Sequence, residues 1–354
     1  MTKQNIPKIR FQGFDDEWER NKFGSILRTY SFKKYIAKAC EVGEFEVIQQ
    51  GDIPILGYSN GEAFKDFQNI VLFGDHTLSL FKPKAPFFIA TDGLKILSAD
   101  GFDGYYLFNI LTKYKPISQG YKRHFTILKN SELYFTYDSK EQKSIGQLFR
   151  TLDELISAYK KNLENYQILK TSMLSKMFPK EGQKQPEIRL DGFEGDWEEK
   201  KFSDILKVNS GRDYKHLELG DIPVYGTGGY MLSVNKSLSD SDAIGIGRKG
   251  TIDKPFILKS PFWTVDTLFY VTSDYVKLNF LYSVFQSINW KKFDESTGVP
   301  SLSKKTIEKI YKLFPSLPEQ EAIGAFFANL DETISSYQDK IGQLELLKLS
   351  LIHI

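Results

Sequence analysis

The chain has 354 residues, 41% of them hydrophobic and 26% charged, with a formal net charge of +2 at pH 7. Its length allows two or three separate cores, its composition is that of a soluble globular protein, and its charge is below that of a protein that coats nucleic acid by electrostatics alone. A single cysteine, Cys40, excludes an internal disulfide, and there is no run of 18 apolar residues and no apolar signal-peptide core in Met1 to Arg10, so a cytoplasmic location is expected.

The first element is a leading segment, polar and then aromatic: Pro7-Lys-Ile9-Arg10-Phe-Gln-Gly13-Phe14-Asp-Asp-Glu-Trp18-Glu19. It returns as Pro186-Glu-Ile188-Arg189-Leu-Asp-Gly192-Phe193-Glu-Gly-Asp-Trp197-Glu198, and Phe23, Ile26 and Leu27 continue the match into Phe202, Ile205 and Leu206. Gly13-Phe14 and Gly192-Phe193 read as turns, and Trp18 and Trp197 as anchors packed onto a body.

A first body follows, over residues 20 to 140. Phe45–Ile48, Ile70–Phe73, Phe87–Ala90 and Leu133–Tyr137 have the composition of strands, separated by Gly, Pro, Asn and Asp, and Asp103–Leu111 reads as a short helix. This is an α+β body on a curved sheet. Its candidate binding groups are Tyr58, Ser59 and Asn60 in a Gly-Tyr-Ser-Asn-Gly stretch, His76 after Gly74-Asp75, and the basic, aromatic cluster Tyr121-Lys122-Arg123-His124. Rings and cations in that cluster suit phosphates or bases, and would equally suit a solvated loop.

A long helix comes next. Ile145, Leu152, Tyr159, Tyr166 and Met173 recur at a spacing of seven, with Phe149, Ile156 and Leu163 between them. That is an a/d seam, and about 35 residues of helix span roughly 50 Å.

The second body, over residues 199 to 318, contains Ala243–Gly247, Phe256–Leu258 and Thr267–Val271 as strand-like runs and Leu278–Ser287 as a helix. Gly220-Asp221-Ile222-Pro223 repeats Gly51-Asp52-Ile53-Pro54 of the first body. Three loops look like recognition surface: Tyr225-Gly226-Thr227-Gly228-Gly229-Tyr230, Gly247-Arg248-Lys249-Gly250-Thr251 and Ser296-Thr297-Gly298-Val299-Pro300-Ser301. Glycines let backbone amides approach a ligand, and two cations on a tight loop suit phosphate or guanine. Asp92 and Asp266 occupy matched strand ends and read as loop-ordering groups.

The chain closes on a second copy of the long helix. Glu319-Gln320, Ile323, Gly324, Phe327, Leu330, Asp331, Ile334, Tyr337 and Ile341 repeat Glu141-Gln142, Ile145, Gly146, Phe149, Leu152, Asp153, Ile156, Tyr159 and Leu163 at an offset of 178 residues. Residues 143–178 hold six Lys or Arg against three Asp or Glu, a net +3, and residues 319–354 hold two Lys against six Asp or Glu, a net −4. Opposite charge favours pairing the two copies with each other, and the intervening body makes an antiparallel pair, with the bodies at its opposite ends, the natural geometry.

Catalytic signatures are missing from this sequence. It has no Gly-x-x-x-x-Gly-Lys-Ser/Thr loop, no His-Glu-x-x-His, no cysteine pair, no Gly-x-Ser-x-Gly elbow and no Asn/Asp-Pro-Pro-Tyr/Phe motif of adenine amino-methyltransferases. The expectation is a non-catalytic chain with no metal and no cofactor of its own.

The plan resembles the specificity subunit of type I restriction–modification enzymes. The residues that carry the resemblance are the two divergent bodies, each followed by a helix opening Glu-Gln and Ile-Gly, together with Pro223 to Tyr230, Ile246 to Ile252, Phe262 to Tyr270 and Leu317-Pro318-Glu319-Gln320. The family implies two α/β target recognition domains (1–142 and 179–318), joined and separated by two long antiparallel coiled-coil-like spacer helices (143–178 and 319–354) in a pseudo-twofold internal repeat. Each domain would read one half of an asymmetric, split site in double-stranded DNA. The helices, through Ile145, Leu152, Ile156, Tyr159, Ile323, Leu330, Ile334 and Tyr337, would set the gap. Two modification subunits using S-adenosylmethionine would dock there, and two restriction subunits using ATP and Mg²⁺ would complete the nuclease. By position in the family's blocks, the DNA-binding residues would be Tyr58, Ser59, Asn60, His76, Tyr121, Lys122, Arg123 and His124 for one half-site and Tyr225, Thr227, Gly228, Tyr230, Arg248 and Lys249 for the other.

Two departures stand out. Ser139-Lys140 replaces the Leu-Pro that precedes the second Glu-Gln, so the first helix is expected to begin differently. The second copy runs to Leu351-Ile-His-Ile354 where the first reads Met173-Leu174-Ser-Lys-Met177-Phe178-Pro179, so its outermost docking contacts are expected to differ. The alternatives to the family reading are a stand-alone DNA-binding or scaffold protein without modification subunits, and a nucleic-acid enzyme using Asp92 or Asp266 with Mg²⁺.

Overall fold

The computed structural model describes residues 6–120 and 123–353, His353 by its backbone alone. Its contacts divide the chain into two units: Met1–Lys160 with Asp339–Ile354, and Lys161–Gln338. The expected boundaries at 142/143 and 318/319 separate bodies from helices by sequence, whereas the contacts group each body with parts of both long helices.

Unit 1 opens with β1 (Glu19–Lys22), α1 (Phe23–Ile26) and β2 (Leu27–Thr29). Then come β3 (Phe45–Ile48), β4 (Ile55–Ser59), β5 (Val71–Gly74), β6 (Leu80–Phe81), β7 (Phe87–Ile89) and β8 (Leu94–Ala99). After these follow α2 (Gly104–Lys113), α3 (His124–Asn130), β9 (Glu132–Phe135) and the first part of the long helix α4 (Ser139–Lys176). Its sheets have the orders β2-β8-β5-β6, β4-β3-β7 and β1-β9.

Unit 2 contains β10 (Glu198–Lys201), α5 (Phe202–Ile205), β11 (Lys207–Ser210), β12 (Leu219–Gly226), β13 (Gly229–Val234) and β14 (Ala243–Gly247). It continues with β15 (Phe256–Leu258), β16 (Trp263–Thr264), β17 (Leu268–Thr272), α6 (Leu278–Ser287), α7 (Lys304–Glu308), β18 (Tyr311–Phe314) and the first part of α8 (Leu317–His353). Its sheets run β11-β17-β14-β15, β13-β12-β16 and β10-β18, strand for strand the plan of unit 1. In both, one pair is parallel (β3 with β7, β12 with β16) and every other pair is antiparallel.

The strands follow from their patterns. β5 and β14 are buried at every position, and their near-continuous apolar runs suit strands covered on both faces. β9 alternates, with Leu133 and Phe135 inside and Glu132 and Tyr134 outside. α2 starts where Asp103 accepts the amides of Tyr105 and Tyr106 at 2.9 and 3.1 Å, which caps two otherwise orphaned donors. Unit 1 buries Phe23, Phe73, Phe102, Tyr106 and Phe135 in one core, and unit 2 buries Trp197, Phe202, Phe280, Phe285 and Phe314 in the corresponding place. No helix of the described residues is long and apolar enough to cross a membrane.

The repeated Glu-Gln-x-x-Ile-Gly stretch is a latch between helix and body. The Glu141 carboxylate accepts Nε and Nη2 of Arg10 at 2.6 and 2.9 Å and the indole N–H of Trp18 at 3.4 Å. Glu319 does the same for Arg189, at 2.8 Å to both nitrogens, and for Trp197 at 3.3 Å. Gln142 accepts the amide of Asp103 at 2.8 Å and donates to the Thr136 carbonyl at 2.7 Å. Gln320 joins the Lys277 amide to the Pro315 carbonyl, at 3.3 and 3.0 Å. The glycine then lets the long helix touch the start of the body helix. A Cβ on Gly146 would lie 2.9 Å from Asp103 Oδ1, and one on Gly324 would lie 2.8 Å from the Phe280 amide nitrogen. Gly324→Ala is therefore expected to destabilise unit 2 by about 1–3 kcal/mol through overpacking. Urea denaturation reads this, and an unchanged midpoint would remove the close approach as the reason for the glycine.

The two helix starts differ, as expected from sequence. Asp138 caps α4 by accepting the amides of Lys140 and Glu141, each at 2.8 Å. Pro318 stands in the first turn of α8, where its lack of an N–H leaves no donor orphaned. Within unit 1, Asp153 pairs with Lys348 and Lys160 with Glu345 at 2.7 Å, so the two helical segments there run antiparallel. Within unit 2, Tyr166 lies against Tyr337 with ring centroids 5.4 Å apart and Lys170 pairs with Asp331, again antiparallel.

Candidate nucleic-acid interface

In unit 2 three separate loops meet. The two-residue turn Thr227-Gly228 closes the β12–β13 hairpin, with Gly226 opposite Gly229. Gly229 has φ +106°, a conformation that favours glycine. Half-buried Tyr225 packs between Phe256 and Tyr230, at centroid distances of 6.0 and 6.4 Å, and holds the 63% exposed Tyr230 at the surface.

Arg248 and Lys249 follow β14. Both amides donate to the Thr267 carbonyl, at 2.8 and 3.3 Å, and both side chains are exposed. The Arg248 guanidinium donates to the Asp266 carbonyl at 3.4 Å and lies 5.9 Å over the Phe269 ring. The third loop joins through backbone bonds. Gly250 donates to Pro300 at 2.8 Å, and Leu302 donates to Arg248 at 2.9 Å. Asp294 orders that loop by accepting the amides of Ser301 and Ser296, and these bonds hold its carboxyl below the usual carboxylate range. A Cβ placed on Gly250 would lie 3.8 Å from Thr227 Oγ1, so the hairpin turn and the Arg-Lys loop are neighbours. Gly228, Tyr230, Arg248 and Lys249 are exposed and Thr227 half-buried, so the hairpin turn and the neighbouring Arg-Lys loop carry hydroxyls, a ring and two cations.

Unit 1 brings together a different set from the expected one. The segment after β5 is held by Asp75, whose carbonyl accepts the amide and Nδ1 of His124 at 2.9 and 3.0 Å and whose carboxylate accepts the Phe125 amide at 2.8 Å. His124 is 0% exposed and accepts the Gln119 amide on Nε2 at 3.1 Å. With both ring nitrogens engaged inside the fold, His124 is a pin between two loops and not a surface contact. His76 lies beside it, its amide donating to Gln50 Oε1 at 3.3 Å.

Tyr58, Ser59 and Asn60 lie elsewhere. Ser59 is opposite Phe45 and Asn60 Oδ1 accepts the Glu44 amide at 2.9 Å, while the His76 loop meets the other end of the same hairpin. Strand order identifies the counterpart of the Thr227-Gly228 turn as the β3–β4 connection, residues 49–54, where Gly51 donates to Ser79 at 2.9 Å. Sequence reasoning missed this connection, although exposed Ile53 between Asp52 and Pro54 marks it as a turn. Arg123 is exposed at the start of α3, and Tyr121 and Lys122 lie outside the described residues.

The expected helix-pairing residues divide. Leu152 and Ile156 are buried in unit 1 with Leu344 and Ile352, and Ile145 and Tyr159 pack beside them. Ile323 and Leu330 join the body core of unit 2, and Ile334 and Tyr337 are half-buried.

The two bodies, each built on the same strand order and each latched to a long helix, define a mixed α/β fold. Residues 194–346 match the type I restriction modification DNA specificity domain, Methylase_S. Among solved structures, the chain is similar to the S subunit of a type I restriction–modification system from M. genitalium. That likeness has 17% identity, covers 99% of this chain and 98% of that one, and has a TM-score of 0.72. A chain from a structure describing complex assembly and conformational transition of the type I R-M system is similar at 11% identity, covering 98% of each chain with a TM-score of 0.52. No curated relative matches the sequence. The second half of the chain thus matches a type I restriction modification DNA specificity domain, and nearly the whole chain has the mixed α/β fold of these solved structures.

Proposed function

We propose that each body reads one half of a split, asymmetric DNA site through its loop surface, as the sequence-recognition subunit of a type I restriction–modification complex. One observation carries this reading: in the half that matches the specificity domain, three loops distant in sequence form one exposed surface. Its hydroxyls, aromatic ring, amides and cations are the groups that phosphates and base edges accept. The same strand order in unit 1 supports a second reader there, using residues 49–54 and 75–77.

The helices are the elements we assign to setting the gap between half-sites and to docking two modification subunits. Their long helical runs, the buried Leu152 and Ile156, and the cross-helix ion pairs within each unit support that role. Methyl transfer from S-adenosylmethionine would lie in those partners, and ATP- and Mg²⁺-dependent cleavage in two restriction subunits.

The test is methylation mapping in a host that expresses this chain with its modification subunit. One split motif is expected. Exchanging residues 20–140 for the corresponding body of another specificity subunit is expected to change one half of that motif only. A change in both halves, or in the gap, would overturn the two-reader assignment.

A further inference from the structure

The two units share their strand order, yet one cleft is chemically particular to unit 1. It has a volume of about 1020 Å³ and lies where β6 ends, beside the start of α2 and the early turns of α4. Four cations line it: Lys82, Lys84, Lys143 and Arg150. Asp103 is the carboxylate on its wall, and its Oδ1 is engaged in capping α2. Arg150 bonds Glu154 at 2.8 Å, and Glu154 also feels the charge of Lys84. Lys84 and Lys143 are exposed and stand in no ion pair among the described residues.

Lys82 differs from the other three in being buried, at 9% exposure. It passes the start of α2 so closely that a Cβ on Gly104 would lie 2.8 Å from Lys82 Cε. Its ammonium donates to the carbonyls of Phe67 and Pro83, at 3.0 and 3.3 Å, and lies 5.3 Å from the centre of the Tyr105 ring. The Arg150 guanidinium lies 5.1 Å from the same ring. Two of the three ammonium N–H groups are thus engaged, and no carboxylate pairs with Lys82 among the described residues. Burial lowers its pKa to about 8 against the opposing charge of Asp103. The buried cation therefore lacks the full compensation that an anion in the cleft would give it.

Unit 2 lacks this chemistry at the matching positions. On the 178-residue offset, Lys143 and Arg150 become Glu321 and Ala328. Tyr105, second in its helix, becomes Asn279. Lys82 follows the residue opposite Leu72, and Ile257 follows the residue opposite Gly245; Leu72 and Gly245 each stand two residues before the glycine that ends their strand. The cations are therefore not required by the shared fold, and they do not serve a task common to both halves.

We propose that this cleft binds a polyphosphate chain, of the kind a nucleoside triphosphate carries. Its volume is at the upper end of the range for small-molecule clefts. Lys143 and Arg150 are two turns apart on α4, about 10 Å along its axis, a span suited to several linked phosphates. Phosphate oxygens are charged acceptors, and the ammonium and guanidinium groups donate to them strongly. The Phe67 and Pro83 carbonyls and the Tyr105 ring hold Lys82 in place, so little freedom is lost when the anion arrives. Lys82 is recessed, and a small phosphorylated molecule enters to reach it more readily than the backbone of a duplex does.

The test is calorimetric titration of the full chain with ATP in the absence of Mg²⁺, beside tripolyphosphate and adenosine. One site per chain is expected for ATP and for tripolyphosphate, and none for adenosine. A tighter ATP would assign part of the recognition to the nucleoside, and equal affinities would assign it to the phosphate chain. Lys82→Met removes the buried charge and is expected to weaken ATP at least about tenfold. The pair Lys143→Glu with Arg150→Ala gives exposed positions of α4 the residues that α8 carries there, without touching the packing around Lys82, and is expected to weaken ATP similarly. Lys259→Met in unit 2 is expected to leave the affinity unchanged. Absence of ATP binding, equal binding of adenosine, or an affinity untouched by the α4 pair would each overturn the proposal. Displacement of ATP by a short duplex of unrelated sequence would overturn it too, and would make the cations a track for the DNA backbone.

Discussion

Glu319→Ala is expected to cost unit 2 roughly 3 kcal/mol, a large share of a domain's stability. The carboxylate is 2% exposed and carries two bonds from Arg189 and one from Trp197. Truncation leaves a guanidinium and an indole N–H inside the fold without their acceptor. Such a loss reaches about 3–5 kcal/mol when the remaining charge is fully buried. The lower end applies here, because the Arg189 side chain keeps 16% exposure and donates to the carbonyls of Gly195 and Glu194 at 2.6 and 3.0 Å. In the intact latch the Glu319 hydrogen bond raises the Arg189 pKa; without it the guanidinium is still too basic to shed its proton, so the charge stays. Glu141→Ala removes the same latch from unit 1. Replacing Arg189 and Glu319 together by Met and Gln is expected to cost less than Glu319→Ala alone, because no charge is then stranded. Urea denaturation with an unchanged m-value measures all three. A loss below about 1 kcal/mol for Glu319→Ala would mean that the latch is ornamental.

The latch shows what repetition in a sequence can and cannot tell. Glu-Gln-x-x-Ile-Gly was visible as a duplicated mark of a helix start. Its work, joining an arginine 130 residues away to the helix, was not, because the partners of Glu319 are distant in sequence. Local pattern served well where one element decides its own structure. The expected helix Leu278–Ser287 has those bounds, and the alternating Leu133 and Phe135 lie in a half-buried strand. It failed where a turn changed length. Gly51-Asp52-Ile53-Pro54 and Gly220-Asp221-Ile222-Pro223 agree letter for letter, yet the first lies in the β3–β4 connection and the second within β12. Taking them as equivalent moved the expected reading turn of unit 1 onto Tyr58-Ser59-Asn60, at the wrong end of the hairpin. His124 misled for a related reason. Beside Arg123 it looked like part of a cationic surface, but Asp75, distant in sequence, supplies the carbonyl that draws the ring inside. The hairpin β12–β13 itself is hard to read because glycine and proline interrupt it and much of it is half-exposed.

Arg248→Ala and Lys249→Ala are expected to separate specificity from grip in the second half-site. The two side chains are neighbours in sequence and both exposed, yet they are held differently. Arg248 is fixed by the Asp266 carbonyl and the face of Phe269, so its fork is partly oriented before DNA arrives. A preoriented fork loses less freedom on binding and suits the paired acceptors of a guanine edge. Its loss is expected to weaken binding of the target by about 1–3 kcal/mol, roughly 5- to 150-fold, and to relax one base position in the second half of the motif. Lys249 is held by its backbone, through Thr267 and the bridge to Ser301, and so presents a mobile point charge. Lys249→Ala is expected to weaken target and non-target DNA alike and to reduce the slope of log K against log salt by about 1. Titration of the assembled methyltransferase with target and scrambled duplexes at several salt concentrations distinguishes the two. If Arg248→Ala weakened both duplexes equally, the arginine would be a phosphate contact, and base reading would fall to the hairpin turn and the 296–301 loop. If neither variant altered binding, the surface formed by the three loops would not be the DNA-reading face of this half.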